Sequence, residues 1–306
     1  MEHIYDIIIL GGGPAGYTAA MYAGRSGLDT LIIEKLSVGG QMALTDKIDN
    51  YPGFPQGIDG FTLGQSMKEG ADLAGAKTEF AEITGAELEG KVKTIHTDSG
   101  DFMARAVILA TGADHRHLGL PEEEALTSRG VHYCATCDAM FYRGKTVAVI
   151  GGGNTAVAAA QVLSRLSKKV ILIHRRDTLR AGRAEQNALL DRDNVEFRWN
   201  SKPVAFLHDD KFRGVRLQNV LTGEEEDVLC DGVFVSVGQK PNTELFEGQI
   251  ALVPGGYIDA GEDTGTSLPG VFAAGDVRSK PLRQIVTAAS DGAVAAHMAE
   301  LYLTAE

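Results

Sequence analysis

The sequence is poor in cysteine, with three in 306 residues, too few for the disulfide framework of a secreted scaffold. It contains no apolar run approaching the roughly 18 residues that a membrane-spanning helix needs. Its opening residues, Met1 to Asp6, carry neither the basic region nor the small-residue cleavage site of an export signal, and lead straight into an apolar strand. These absences predict a soluble protein of the reducing cytoplasm. Positive charge is short as well. Lys+Arg 29 against Asp+Glu 41 gives a net charge of -12, which repels phosphate backbones and anionic lipid. Neither nucleic acid nor a membrane is an expected partner.

What is present is an ordinary globular composition, 44% hydrophobic and 23% charged, in a chain long enough for two domains. The main organising feature is an internal echo. The apolar run Asp6 to Leu10 ends in Gly11-Gly12-Gly13-Pro14-Ala15-Gly16 and an Ala-rich helical stretch; Thr146 to Ile150 ends in Gly151-Gly152-Gly153-Asn154-Thr155-Ala156 and another. Glu34 closes a second apolar strand 23 positions after Gly11, and His174 follows one the same 23 positions after Gly151. Continuous apolar runs alternating with helices predict buried parallel strands and an α/β fold. Two Gly-containing strand exits, Ala110-Thr111-Gly112-Ala113 and Ser236-Val237-Gly238, bracket the second copy. The tail carries another strand-like run at Val271 and a helix over about 285–303, too little for a third domain. It is expected to complete the first.

Each copy has the strand–loop–helix context that a dinucleotide-binding glycine motif requires. In the first, Gly11, Gly13 and Gly16 permit a tight turn and close approach of a pyrophosphate to the helix N-terminus, while Glu34 suits a ribose hydroxyl. Gly39-Gly40-Gln41, just downstream, either adds backbone contacts or is an ordinary loop. In the second, the acidic position is replaced by His174-Arg175-Arg176, with Arg180 a turn later. Guanidinium groups there favour a ribose 2′-phosphate, hence NADPH over NADH; the alternative is a solvated basic face.

Between the first exit and the second copy lies Cys134-Ala135-Thr136-Cys137-Asp138. Two cysteines at this spacing are within disulfide reach and often open a helix whose dipole favours a thiolate. Zinc is the rival reading, but a structural site wants four ligands, and only distant Cys230 and His132 are available. His132 is read as a surface or packing residue and Cys230 as an inert buried thiol. Asp138 suits a proton shuttle for the opening disulfide, or a simple helix cap. NADPH yields a hydride and a disulfide accepts two electrons; flavin bridges the two. This assigns FAD to the first cradle and NADPH to the second. A ferredoxin- or flavodoxin-coupled flavoprotein, an oxygen-consuming dithiol oxidase and a non-catalytic redox sensor are the competing classes.

The string Cys-Ala-Thr-Cys-Asp at 134–138, the paired loops and His174-Arg175-Arg176 with Arg180 resemble the bacterial low-molecular-weight thioredoxin reductases, over nearly the whole chain. The resemblance implies two Rossmann-like domains, an NADPH domain (115–245) inserted into a discontinuous FAD domain (1–114 and 246–306). It implies catalysis by Cys134, Cys137 and Asp138. FAD contacts would come from Gly11, Gly13, Pro14, Ala15, Gly16, Glu34, Lys35, Gly39, Gly40, Gln41, Asn50, Thr111 and Gly112, then Gly275, Asp276, Arg283, Gln284 and Ile285. NADPH contacts would come from Gly151, Gly153, Asn154, Thr155, Ala156, His174, Arg175, Arg176 and Arg180. No metal is implied. A homodimer is implied, with thioredoxin or a thioredoxin-like protein meeting Arg129, Met140 and Phe141, Met140 standing where an aromatic is commoner. The dithiol must serve flavin and partner in turn, so the inserted domain is expected to rotate on connectors near 111–118 and 238–245.

Overall fold

The computed structural model describes residues 3–36, 38–45 and 47–305, leaving out the side chains of Ala184 and Glu185. The chain forms two compact units, one running to Asp114 and resuming at Lys240, the other His115–Gln239. The second unit ends at Gln239 and not at the expected residue 245, for a local reason. Asn242 is clamped to the end of a first-unit strand: Thr111 Oγ1 donates to its carbonyl at 2.7 Å, its Nδ2 donates to Thr111 O at 3.0 Å, and its N–H donates to Gly112 O at 3.0 Å. Thr243 Oγ1 then donates to Gly256 O at 2.8 Å.

In the first unit the strand Ile4–Leu10 lies between Thr30–Glu34 and Gly100–Leu109, parallel to both, with Lys77–Phe80 beyond. The strand Gly100–Leu109, which leads into the first Gly-containing exit, pairs with two further strands besides Ile4–Leu10. Its first half pairs antiparallel with Lys93–Thr97, and its last residues pair parallel with Val271–Ala273 from the returning tail. Both faces of these strands are covered, which is why they read as continuous apolar runs. With a period of two, Ile7, Ile9, Ile32 and Ile108 face the helices Pro14–Arg25 and Ile285–Ala305, while Ile8, Leu10, Ile33 and Leu109 pack with Leu88, Ile95, Phe246 and Ile258. All eight strand residues are inaccessible to solvent, each contributing about 2 kcal/mol of burial.

The second unit repeats the plan. Its parallel sheet runs in the spatial order Val195–Arg198, Lys169–Ile173, Thr146–Ile150, Gly232–Val235, Val131–His132. Val147, Val149, Val170 and Leu172 pack with the helix Asn154–Ser164; Ala148, Ile150, Ile171 and Ile173 pack with Phe206, Val215 and Leu217 of an antiparallel meander. The α/β class and the doubled strand–loop–helix unit read from the sequence are both present.

Candidate active site

The first cradle is formed where Ile4–Leu10 ends. Gly11 adopts φ +108°, a region that favours glycine, and a Cβ there would lie 2.5 Å from Ala110 O. A Cβ on Gly16 would run into the carbonyl oxygen of Gly11, so this glycine serves the fold of the loop itself. Gly13 differs: a Cβ there would meet nothing within 4 Å. It caps Pro14–Arg25 without any side-chain hydrogen bond, which leaves the first amides of the helix to an anionic ligand.

Glu34 is already engaged by the loop. Gly12 N–H donates to its Oε2 at 2.6 Å and Leu36 N–H to its Oε1 at 3.1 Å. Each oxygen retains a lone pair for a further donor. Gly39 N–H donates to Gly12 O at 2.9 Å, and Gly39 and Gly40 both have positive φ, so this turn braces the glycine loop. Gln41 Nε2 donates to Asp114 Oδ1 at 2.6 Å, and exposed Lys35 pairs with Glu82 at 2.7 Å.

Residues far apart in sequence converge on the same unit. Asn50 Nδ2 donates to Gln284 Oε1 at 2.9 Å. Ile285, which begins the final helix, packs with Met42, Ile48 and Leu63. The Arg283 guanidinium lies 3.9 Å from the Tyr257 ring centroid and donates to the carbonyls of Asp276 and Arg278, both at 3.3 Å. Asp276 Oδ1 is buried with no hydrogen-bond partner among the described residues. Burial pushes its carboxyl above the ordinary value, against the opposing pull of Lys280 and Arg283. A buried acceptor of this kind calls for a donor that the protein does not supply.

The turn carrying Asp276 is held by a network with no sequence signature. Gly275 (φ +80°) donates its N–H to Asp291 Oδ2 at 2.9 Å, and the same carboxylate takes Arg278 and Lys280. Burial alone would raise the Asp291 carboxyl, but the hydrogen bonds from the two cations outweigh it and hold it below the usual range.

The second cradle repeats the first. Gly151 has φ +147°, and Gly153 caps Asn154–Ser164 with no side-chain bond and open space where a Cβ would be. Ala156 is fully buried against the loop, its Cβ 2.8 Å from where a Cβ on Gly151 would be. Thr155, in the first turn, is exposed. His174 lies beneath the loop, so close to Gly152 that a Cβ there would strike the imidazole. Its Nε2 is buried and without a partner among the described residues. Burial, then the nearby Arg180, Arg176 and Arg175, hold this imidazole below its ordinary pKa. Arg175, Arg176 and Arg180 are exposed. Two bonds tie their loop to the cradle: Arg180 N–H donates to Gly152 O at 2.7 Å, and Gly182 N–H to Asn154 Oδ1 at 3.3 Å. Arg183, at the start of the next helix, adds an exposed arginine that the motif reading left out.

Cys134 and Cys137 form a disulfide, with Cα atoms 5.3 Å apart. The sulfurs are bonded to each other, which favours the redox reading over zinc. Cys134 caps the short helix Ala135–Asp138. Cys230 is buried and its thiol is pushed up to about 12, chiefly by desolvation, as an inert thiol should be. Arg129, Met140 and Phe141 are exposed. His132 is buried and packed, one of the two readings the sequence allowed, and its ring nitrogens are engaged as well. It is 6% exposed, its Nδ1 lies 2.9 Å from Asp138 Oδ2, and its Nε2 lies 2.7 Å from Tyr142 Oη. The sequence offered a hint only in the six-residue spacing across the cysteine turn.

Among the described residues no helix is long and apolar enough to cross a membrane. The profile of the pyridine nucleotide-disulphide oxidoreductases matches residues 5–292. A thioredoxin reductase of Treponema pallidum is 45% identical over 99% of this chain and 98% of its own length. One from Streptomyces coelicolor is 44% identical over 100% and 96%. The crystal structure of thioredoxin reductase from Streptococcus pyogenes, 41% identical, superposes over 100% of both chains with a TM-score of 0.93. With two glycine cradles and a bonded cysteine pair, this chain belongs to the pyridine nucleotide-disulphide oxidoreductase family.

Proposed function

We propose that the chain is an NADPH-dependent, FAD-containing reductase of thioredoxin or a thioredoxin-like protein, acting as a cytoplasmic homodimer. The observation that carries this reading is the Cys134–Cys137 disulfide in one unit with a cradle flanked by Arg175, Arg176 and Arg180, while the other unit holds an acid-ended cradle. The relatives' names support thioredoxin as the electron acceptor.

The residues present fit both dinucleotides. Open space at Gly13 and Gly153 admits a pyrophosphate to each helix N-terminus. The unpartnered Asp276 Oδ1 suits a hydroxyl of a sugar-like chain. In the first unit Gly11, Gly16, Glu34, Asp276 and the Arg283–Ile285 segment would hold FAD; in the second, Ala156, His174 and the three arginines would hold NADPH. Bound flavin supplies the passage from hydride to electron pair that joins a pyridine nucleotide to a disulfide.

The protein's own tasks are to hold, to exclude and to move protons. The arginines select the nucleotide by its 2′-phosphate. Asp138 provides a proton to a sulfur as the disulfide opens. The resulting dithiol exchanges with the partner's disulfide through a mixed disulfide, and exposed Arg129, Met140 and Phe141 receive the partner. The dithiol and the acid-ended cradle belong to different units, joined by two chain crossings, and we assign turnover to a rotation on those connectors.

The test is direct. Purified protein is expected to be yellow, to bleach with NADPH far better than with NADH, and to reduce thioredoxin. Cys137→Ser should keep the bleaching and lose thioredoxin reduction. A colourless protein that flavin cannot reconstitute would favour the sensor class.

A further inference from the structure

His132 is held from several sides. Its backbone lies in the strand Val131–His132, paired in register with Phe234. Its ring stacks on Phe234 at 5.2 Å and meets the Tyr142 ring edge-on at 5.1 Å. Both ring nitrogens are engaged, Nδ1 with Asp138 at 2.9 Å and Nε2 with the Tyr142 hydroxyl at 2.7 Å. Buried ring nitrogens need partners in any case; what singles out this ring is that one partner is the carboxyl that directly follows the cysteine turn.

We propose that His132 is a positioning residue that orients Asp138 and holds the proton Asp138 passes on. The inference rests on the reading of Cys134–Cys137 as a working redox pair.

The hydrogen-bond chain is complete in each protonation state. With the proton on the carboxyl, Asp138 donates to Nδ1, and Nε2–H donates to the Tyr142 oxygen. With the proton on the ring, both nitrogens donate, one to the Asp138 carboxylate and one to the tyrosine oxygen. Burial pushes the Tyr142 phenol well above its ordinary pKa, with Asp138, Cys230 and Asp231 adding to the effect. It therefore stays neutral and serves in both states. The titratable groups around this pair are Asp138, Asp231, the Cys230 thiol and Lys145, whose Nζ lies 5.3 Å from the Tyr142 ring centroid.

The step balances. A reductant thiolate attacks one sulfur of the disulfide, the S–S bond breaks, and the departing sulfur takes its electron pair and a proton from Asp138. Asp138 has first drawn that proton from the Nδ1–H of the protonated His132 ring, so the carboxylate is restored and the neutral ring takes a proton from water. Closure of a dithiol reductant by its second thiol expels the remaining sulfur, so the reductant is oxidised as the protein disulfide is reduced.

Dithiothreitol acting on the full-length protein, followed by counting free thiols, tests this without thioredoxin or NADPH. Asparagine keeps a bond to Asp138 but does not titrate. The ratio of wild-type to His132→Asn rates cancels the ionisation of the reductant. It is expected to be about tenfold at the acid end of the accessible range and to approach unity at the alkaline end. In an Asp138→Asn background His132→Asn should cost nothing further. A second measurement needs no variant. In wild type labelled at histidine Cε1, the NMR titration of His132 should differ between disulfide and dithiol forms. A rate ratio flat with pH, or identical titrations in both forms, overturns the proposal. Failure to reduce thioredoxin alongside a pH-dependent ratio would remove the partner reading and leave this one standing.

Discussion

Arg278 grips Asp291 with two parallel bonds, Nε to Oδ2 and Nη2 to Oδ1, both 2.9 Å long. Lys280 Nζ adds a third at 2.7 Å, and all three side chains are under 10% exposed. Removing the carboxylate strands two buried cations and frees the turn that carries Asp276. Asp291→Ala is therefore expected to cost about 3–5 kcal/mol of stability, read from urea unfolding, and to release bound flavin. The folded carboxyl lies below its unfolded value. Its contribution is thus fully present above about pH 4 and declines as pH falls further toward the folded pKa. The gap between variant and wild type should narrow only in that acid range.

The two kinds of cradle glycine separate by substitution. Gly16→Ala drives a methyl group into Gly11 O and should disrupt the loop, with a lower midpoint of thermal unfolding even in flavin-free protein. Gly13→Ala meets open space. Its flavin-free midpoint should stay within a degree or two of wild type, on the order of the few tenths of a kcal/mol typical of neutral substitutions. Flavin affinity, measured by fluorescence quenching, should fall at least about tenfold. Equal flavin affinity in Gly13→Ala and wild type would deny the pyrophosphate its place.

Charge-assisted hydrogen bonds are worth about 1.5–3 kcal/mol each. Arg175→Ala, Arg176→Ala or Arg180→Ala should lower kcat/KM for NADPH by about 10- to 100-fold and leave NADH nearly unchanged. Parallel losses with both nucleotides would reduce these arginines to a solvated basic surface.

His174 should make the second unit acid-sensitive. Burial and the neighbouring arginines depress its pKa in the folded protein. Below about pH 6.5 the unfolded histidine binds a proton that the folded one refuses, so stability falls as pH drops toward the folded value. His174→Gln should flatten this part of the stability–pH curve, measured by denaturation between pH 5 and 8.

Rotation is tested by restraint. An engineered crosslink that fixes the two units in one arrangement should abolish NADPH-driven reduction of thioredoxin, and cutting it should restore turnover. Undiminished activity in the locked protein would refute the motion.

Much of the candidate site could be read from the sequence because its parts are local. A strand, a glycine turn and a helix start occupy consecutive residues, and the acid or arginine that follows lies one strand away. The bond from His132 to Asp138 was not legible, because a histidine six residues away has no significance until the cysteine turn folds back. The bond between Asn50 and Gln284 joins segments 234 positions apart. Asn242 was expected in the second unit because an apolar strand and a Gly-containing exit preceded it; its three bonds to Thr111 and Gly112 assign it to the first.

The sequence by itself determined the α/β layering, the two glycine cradles with their acidic and basic strand ends, and the spacing that pairs Cys134 with Cys137. Steric limits on glycine, the period of a buried strand and a three-residue reach between sulfurs all act over short stretches of chain. Only the tertiary structure decided that Glu34 braces its own loop, that Asp291 carries the Asp276 turn, and that His132 bridges Asp138 to Tyr142. Those contacts depend on how sheets and helices pack distant segments against one another, and local residue patterns do not encode the angle at which they meet.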